Sequence, residues 1–266
     1  TDGDGVNVFM KEMNQIINLR YNHTIPSSLS NNEVLSIYRD HSGIVWVGSN
    51  GLDKYNPKKE KFALYNFDSY SSEGLAYRHI HSIYEDDYGV LWIGSKSDGI
   101  HLLDRARKAS SRITVAEDQT GGLSSNKIRV IKEYPKGTIW VGTEDKGLNK
   151  ITLDENRLPE EYEVFRHDPA FFNSLTSDLV YSLYFDENEN VWIGTDNGIT
   201  VMNLNTYEMN RYVANKDDAN SLSNNTAYYI YGDSKGTIWI ATDIGINKYD
   251  PETDGFLHYT SIENDT

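Results

Sequence analysis

Five tryptophans in a fixed frame constrain this 266-residue chain more than any other feature. They stand at Trp46, Trp92, Trp140, Trp192 and Trp239, at intervals of 46, 48, 52 and 47 residues. Each lies in nearly the same string: GIVWVG, GVLWIG, GTIWVG, NVWIG or GTIWIA. A leucine stands 17 residues before every one of them (Leu29, Leu75, Leu123, Leu175 and Leu222). A period of this size belongs to stacked repeats, either propeller blades or helical arrays.

Local chemistry selects strands. Between each Leu and Trp runs a β-branched and aromatic segment: EVLSIYR, HIHSIYE, KIRVIKE, LVYSLYF and AYYIYG. A four-residue turn comes next, with Asp40 and Gly43, Asp86 and Gly89, and Asp233 and Gly236 in its first and fourth places. Those are the residues that a type I turn prefers there. The third repeat has Tyr134-Pro135-Lys136-Gly137, and the fourth, Asp186 to Glu189, lacks the Gly and is expected to turn somewhat differently. After the Trp strand a glycine (Gly51, Gly99, Gly147, Gly198 or Gly245) opens a third strand. A fourth closes the unit as KFALYNF, RITVAE, YEVFRHD, MNRYVAN or GFLHYT. No window keeps a helical apolar stripe with caps. The expectation is an all-β fold, a β-propeller of four-stranded antiparallel blades.

The frame also sets the boundaries within a single domain of 1–266: blades at 29–74, 75–122, 123–174, 175–221 and 222–266, after an outer half blade at 1–28. Residues 1–22 match the part of a blade that comes after its Trp strand, so two strands are expected there whose inner partners are not supplied by the C-terminal segment. An open arc leaves bare strand edges, which propellers avoid by closing. The chain is therefore expected to be a fragment of a larger ring of about seven blades.

Bulk properties exclude several functions. A net charge of −15 opposes a phosphate-binding surface, so no nucleic acid is expected on this segment. Without cysteine there is neither a disulfide frame nor a thiolate metal site. No apolar run is long enough to span a membrane, and the start TDGDGVNVFM is not a signal peptide. TDGDG resembles the opening of a calcium loop, but Met13 stands where an EF-hand needs Glu, and the segment aligns with the Gly loops of the other blades. His79 and His81 lack a third metal ligand, and the Asp recurring in four turns reads as a turn residue rather than a catalytic acid. Sialidase-type boxes place Asp five residues before Trp, whereas here the distance is six. No cofactor and no catalysis are expected.

The strings SLSNNEVLSIYRDHSGIVWVGSNGLDKYNP and NSLSNNTAYYIYGDSKGTIWIATDIGINKYDP resemble the two-component regulator propeller repeat. The resemblance covers essentially the whole chain. It implies the extracytoplasmic sensor region of a hybrid two-component system of Bacteroides-like bacteria, periplasmic and anchored to the membrane through downstream segments. It implies oligosaccharide ligands, and as partners the neighbouring domains of the same polypeptide or a second protomer in a homodimer. A propeller carbohydrate-active enzyme and a protein–protein platform are the alternatives; the first would need two carboxylates facing across a cleft.

Ligand specificity is expected where the repeat stops repeating. Eleven residues before each Trp stand Leu35, His81, Arg129, Tyr181 and Tyr228; thirteen before stand Glu33, His79, Lys127, Leu179 and Thr226. Two steps apart on a strand, these share a face. Positions twelve and nine before the Trp stay apolar, from Val34 and Ile37 to Ala227 and Ile230, and read as core. Arg78 breaks a place held by Asn32, Asn126, Asp178 and Asn225. The candidate ligand-binding residues are thus Arg78, His79, His81, Lys127, Arg129, Tyr181 and Tyr228, at the channel mouth, with Lys96, Glu144 and Lys146 of the Gly loops nearby. This mixture suits hydroxyl- or carboxylate-rich ligands.

Overall fold

A computed structural model describes residues 3–10, 14–25, 27–57, 61–65, 79–104, 106, 109–116 and 121–260. The described residues hold strands and turns and no helix. Strands β1 (Val6–Met10) and β2 (Gln15–Leu19) pair as an antiparallel hairpin, as expected for an outer half blade. Blade 1 comprises β3 (Ser36–Arg39), β4 (Val45–Gly48), β5 (Leu52–Asn56) and β6 (Lys61–Tyr65). Blade 2 comprises β7 (Ile80–Glu85), β8 (Val90–Ser95), β9 (Ile100–Asp104) and β10 (Ala109–Ile113). Blade 3 is built of β11 (Ile128–Glu133), β12 (Thr138–Thr143), β13 (Leu148–Leu153) and β14 (Pro159–Phe165). Blade 4 is β15 (Val180–Phe185), β16 (Asn190–Thr195), β17 (Gly198–Asn203) and β18 (Met209–Tyr212). Blade 5 is β19 (Ala227–Gly232), β20 (Ile238–Thr242), β21 (Gly245–Asp250) and β22 (Gly255–Tyr259). In each sheet every strand pairs with its sequence neighbour. The chain divides into two compact units, residues 1–131 and 132–266.

Two fourth strands differ from those expected. That of blade 2 begins at Ala109 rather than Arg112, and that of blade 3 at Pro159, a first strand position where the missing N–H costs no ladder bond.

The turn aspartate explains the frame. One oxygen of Asp40 accepts the N–H groups of Ser42 (3.0 Å) and Ile44 (2.9 Å), while the other accepts the Trp46 indole N–H at 2.9 Å. The same fork recurs at Asp86–Trp92 (3.2 Å), Asp186–Trp192 (2.9 Å) and Asp233–Trp239 (3.0 Å). Blade 3 lacks the carboxylate, and the Tyr134 carbonyl takes the Trp140 indole instead at 2.6 Å. In blade 4 the turn differs slightly, as expected: the Gly43, Gly89 and Gly236 N–H groups donate to the carbonyls of their turn aspartates, and Glu189 makes no such bond among the described residues. Glu189 adopts the left-handed backbone at φ 58° that Gly43, Gly89 and Gly236 adopt elsewhere, and the Asp186 fork is intact.

Packing between blades depends on the glycine two residues after Trp46, Trp92 and Trp192. A Cβ at Gly48 or Gly194 would lie 2.6 Å from the Ile80 or Ala227 carbonyl oxygen, and one at Gly94 would lie 2.6 Å from Ile128 Cγ2. Trp46, Trp92, Trp140 and Trp192 are buried under these contacts, and Trp239 is half-buried. Leu29, Leu123, Leu175 and Leu222 are buried too; Leu75 lies outside the described residues. The expected core positions hold with one exception: Ile37 is 55% exposed. Ile83, Ile131, Leu183 and Ile230 are buried, and of these Ile131 and Ile230 lie against the Trp-strand glycine of the preceding blade. Among the described residues only the β1–β2 hairpin precedes blade 1, and it has no Trp strand.

The repeated Asn is a clip. Asn32, Asn126, Asp178 and Asn225 accept the N–H of Tyr21, Val115, His167 and Ala214 through their side chains. Their carbonyls accept the N–H of Gly5, Gly99, Gly147 and Gly198. Gly5, with φ 72°, therefore holds the ordinary Gly-loop place, as its alignment with the other blades predicts, and neighbouring Asp4 pairs with Arg20 at 2.6 Å.

A buried polar position in each third strand is not apparent from the sequence pattern. Asp53, His101, Asn149, Thr200 and Asn247, two residues after each loop glycine, are all buried. Ser223 N–H donates to Asn247 Oδ1 at 2.8 Å, and Asn247 Nδ2 donates to the Ser223 hydroxyl at 2.9 Å. Asp53 has only half of this: Oδ2 accepts from Ser30 N–H and its hydroxyl, while Oδ1 is buried without a partner. In blade 2 the buried His101 pairs with Asp98 at 2.9 Å, and burial lowers its pKa in spite of that carboxylate.

Two mutational outcomes are expected from these contacts. Asp40→Ala leaves the buried indole N–H and two turn amides without an acceptor and is expected to destabilise the chain by about 2–3 kcal/mol, with Asp40→Asn milder, in denaturant titrations. Asp53→Asn is expected to stabilise it at pH 7 by about 1 kcal/mol, roughly 3 °C in Tm. Burial raises the Asp53 pKa, so its contribution is full below the unfolded value near 3.8 and is lost as pH rises through the folded value. The advantage of the variant must therefore shrink as pH falls toward 4.

Candidate functional site

Three of the variable residues of the first strands lie on bulges. Register slips between Ile80 and Ser82 in β7, Val180 and Ser182 in β15, and Ala227 and Tyr229 in β19. The extra residues are His81, Tyr181 and Tyr228. A bulge re-aims a side chain out of the regular alternation, so these are presented by the bulge and not by strand period. The residues thirteen before the Trp, including His79 and Lys127, precede the strands and sit in the approach loops, so the shared-face argument does not apply to them.

In unit 1, His79 is exposed and has φ 71°, a left-handed backbone otherwise seen here in hairpin loops. Its carbonyl accepts the Lys96 N–H at 3.1 Å, which joins it to the Gly loop of the same blade. His81 and Arg129 are half-buried and Lys127 is exposed. Strands β7 and β11 run side by side, since the Ser82 hydroxyl accepts the Ile131 N–H at 2.9 Å. His81 and Arg129 thus belong to neighbouring strand starts. Arg78 lies outside the described residues.

In unit 2, Tyr181 and Tyr228 meet with ring centroids 5.2 Å apart and planes inclined by 52°. Tyr228 is 47% exposed, and the neighbouring Asp243 carboxylate raises its phenol pKa. Asp243, in the Gly loop of blade 5, is a site residue that sequence reasoning missed. The signal available was its place one after Thr242, matching Asp196 after Thr195 and Glu144 after Thr143. Among the described residues no group of three or more His, Asp or Glu side chains could hold a metal ion, and no helix could cross a membrane.

Left-handed backbone at a non-glycine residue costs on the order of 1 kcal/mol. His79→Gly is expected to raise stability by about that amount in thermal denaturation; a loss instead would mean that the imidazole holds the loop.

The two component regulator propeller model matches residues 28–51, 74–97, 122–145, 174–197 and 221–243, one segment per blade. Each segment runs from the Leu through the Trp into the Gly loop. No curated protein matches the chain. Among solved structures, one described as the extracellular domain of a hybrid two component system from B. thetaiotaomicron is 23% identical, with a TM-score of 0.73 over 88% of this chain and 30% of its own. A second domain so described, from the same organism, is 22% identical with a TM-score of 0.52, over 99% of this chain and 40% of its own. PorZ of Porphyromonas gingivalis, a surface component of the type-IX secretion system, is 17% identical with a TM-score of 0.64, over 90% of this chain and 35% of its own. The chain thus spans well under half the length of each, and likenesses at these identities establish the fold alone. The repeat match goes further: the chain carries five two component regulator propeller repeats.

Proposed function

We propose that this chain is the ligand-binding, extracytoplasmic part of a two-component sensor and takes oligosaccharides where the first strands of its blades begin. One observation carries the reading. Scaffold positions repeat from blade to blade, whereas the residue eleven before the Trp changes from His81 to Arg129, Tyr181 and Tyr228, and in three of these blades it is the extra residue of a bulge. Bulges of this kind commonly aim side chains at ligands. Tyr rings stack on sugar faces while His, Arg and Lys bond hydroxyls and carboxylates. Solved structures described as extracellular domains of hybrid two component systems share this fold, which supports a sensor over an enzyme. Glu33 is the one acid among the residues eleven or thirteen before a Trp, so no acid–base pair is available there. Signalling then requires the ligand to favour one arrangement of neighbouring domains or protomers over another. Membrane anchoring through downstream segments belongs to the same proposal.

Calorimetric titration with a panel of neutral and acidic oligosaccharides tests it. Arg129→Ala and Tyr228→Ala are each expected to weaken binding by about 1.5–3 kcal/mol. Unchanged affinity in both variants would place the ligand elsewhere and sink the assignment.

A further inference from the structure

At the other ends of β15 and β19, beside the aspartate turns, blades 4 and 5 of unit 2 enclose a cavity of about 840 Å³. Its wall is aromatic. Tyr212 and Tyr249 meet edge to face with centroids 6.2 Å apart, and both pack on the buried Trp192 and Phe256. Asp254 stands on this wall in a left-handed conformation, φ 51°. A single oxygen, Oδ1, accepts both phenol hydrogens, from Tyr212 at 2.7 Å and Tyr249 at 2.8 Å. Burial first, then the carboxylate, raises both phenol pKa values, so both rings stay neutral donors. The second oxygen, Oδ2, accepts nothing from the described residues.

Subtracting what the fold already uses leaves a simple inventory. Asp186 is committed to its turn and to the Trp192 indole. Asp250 accepts from Glu252 N–H and Thr253. Asn190 and Asn203 bond Asp186 and one another. The Lys248 ammonium lies 6.0 Å over the Trp239 ring, which pairs with it across β20 and β21. Among the described residues, neither Glu187 nor Glu208, both exposed in the lining, has its carboxylate in a hydrogen bond or ion pair, and against them stands Lys235. Five carboxylates (Asp186, Glu187, Glu208, Asp250 and Asp254) thus line the cleft against two ammonium groups, Lys235 and Lys248, beside the rings of Tyr212 and Tyr249. Aromatic rings and carboxylates together favour cations, since the ring face is negative, and a free carboxylate forms strong hydrogen bonds with N–H donors of positive charge.

We infer that the cleft between blades 4 and 5 binds a small organic cation, an amine or guanidinium, held by Asp254 and Glu208 against Tyr212 and Tyr249. This site is independent of the saccharide reading and lies at the opposite end of the same strands.

Cadaverine, its neutral isostere 1,5-pentanediol and Nα-acetyl-lysine amide serve as probes of the 266-residue chain, followed by tyrosine-ring NMR shifts and calorimetry. Cadaverine is expected to bind with a Kd on the order of 1 mM or tighter, weakening with salt, and pentanediol not to bind. Glu208→Gln, whose side chain makes no hydrogen bond among the described residues, and Asp254→Asn are each expected to weaken it by about tenfold or more, the scale of one charge-assisted hydrogen bond. Arg129→Ala is expected to leave it unchanged. Binding of the lysine amide alone would keep the cation site and assign it to a lysine side chain of a partner. Equal affinity for pentanediol, no binding of either cation, or full affinity in Glu208→Gln would overturn the inference. A misfolded Asp254→Asn leaves Glu208→Gln to decide.

Discussion

A tryptophan can fill the space between two sheets only if its indole N–H finds an acceptor there. Burying that donor unpaired costs about as much as the packing of several methylene groups returns. The turn aspartate resolves this by dividing its oxygens, one for the turn amides and one for the indole. A single carboxylate therefore couples the first hairpin of the blade to the side chain that faces the next blade. The spacing of six residues is what this fork demands. Blade 3 shows that the acceptor is the essential element, because a backbone carbonyl serves there when the carboxylate is absent.

From that fork the rest of the repeat can be built. An indole facing the next blade lets the two sheets approach, and the approach excludes a Cβ two residues further on. Blade 5 carries Ala241 at that place, on a sheet whose Tyr229, Tyr231 and Ile246 are exposed. The asparagine clip then holds the third and fourth strands of one blade to the approach loop of the next. Turn, indole, glycine and clip leave little freedom in most of the 46- to 52-residue period. What escapes is the bulge and the loop before it, and it is there that His79, His81, Lys127, Arg129, Tyr181 and Tyr228 differ. Freedom at a bulge is a physical property, since the bulged residue contributes little to the ladder.

Much of this was legible in the residues. Strand type, blade number, the tight turns and the buried Leu and Trp all stem from period and turn chemistry, because each is a local preference repeated five times. What was hidden depends on contacts between distant segments. Ile37 reads as core by analogy, yet its burial requires a Trp strand in front of it. Asp53 reads as an ordinary third-strand residue until Asn247 reveals the amide pattern it imperfectly imitates. Glu189 changes the turn only slightly, because the four bonds to Asp186 outweigh a conformational cost of about 1 kcal/mol. The cavity between blades 4 and 5 was out of reach for the same reason. Tyr249 sits where other blades have Tyr55, Leu103, Ile151 and Met202, a packing position by every local measure.

The two ends of blades 4 and 5 therefore differ in chemistry while sharing their strands. Tyr181 and Tyr184 are three residues apart on β15, roughly 10 Å along the strand. The first belongs to the bulge beside Tyr228, and the second lines the acidic cavity. Each of these strands is paired along one edge, β15 with β16 and β19 with β20, and β15 and β19 face one another across the seam between the two sheets. If a change in the spacing of β15 and β19 at the bulges alters the cavity, the reverse must hold equally, because coupling between two binding sites is reciprocal. For a module with no moving loop assigned to signalling, the seam between two blades is the element whose equilibrium a ligand can bias. It is held by side-chain packing, rings and hydrogen bonds rather than by a ladder.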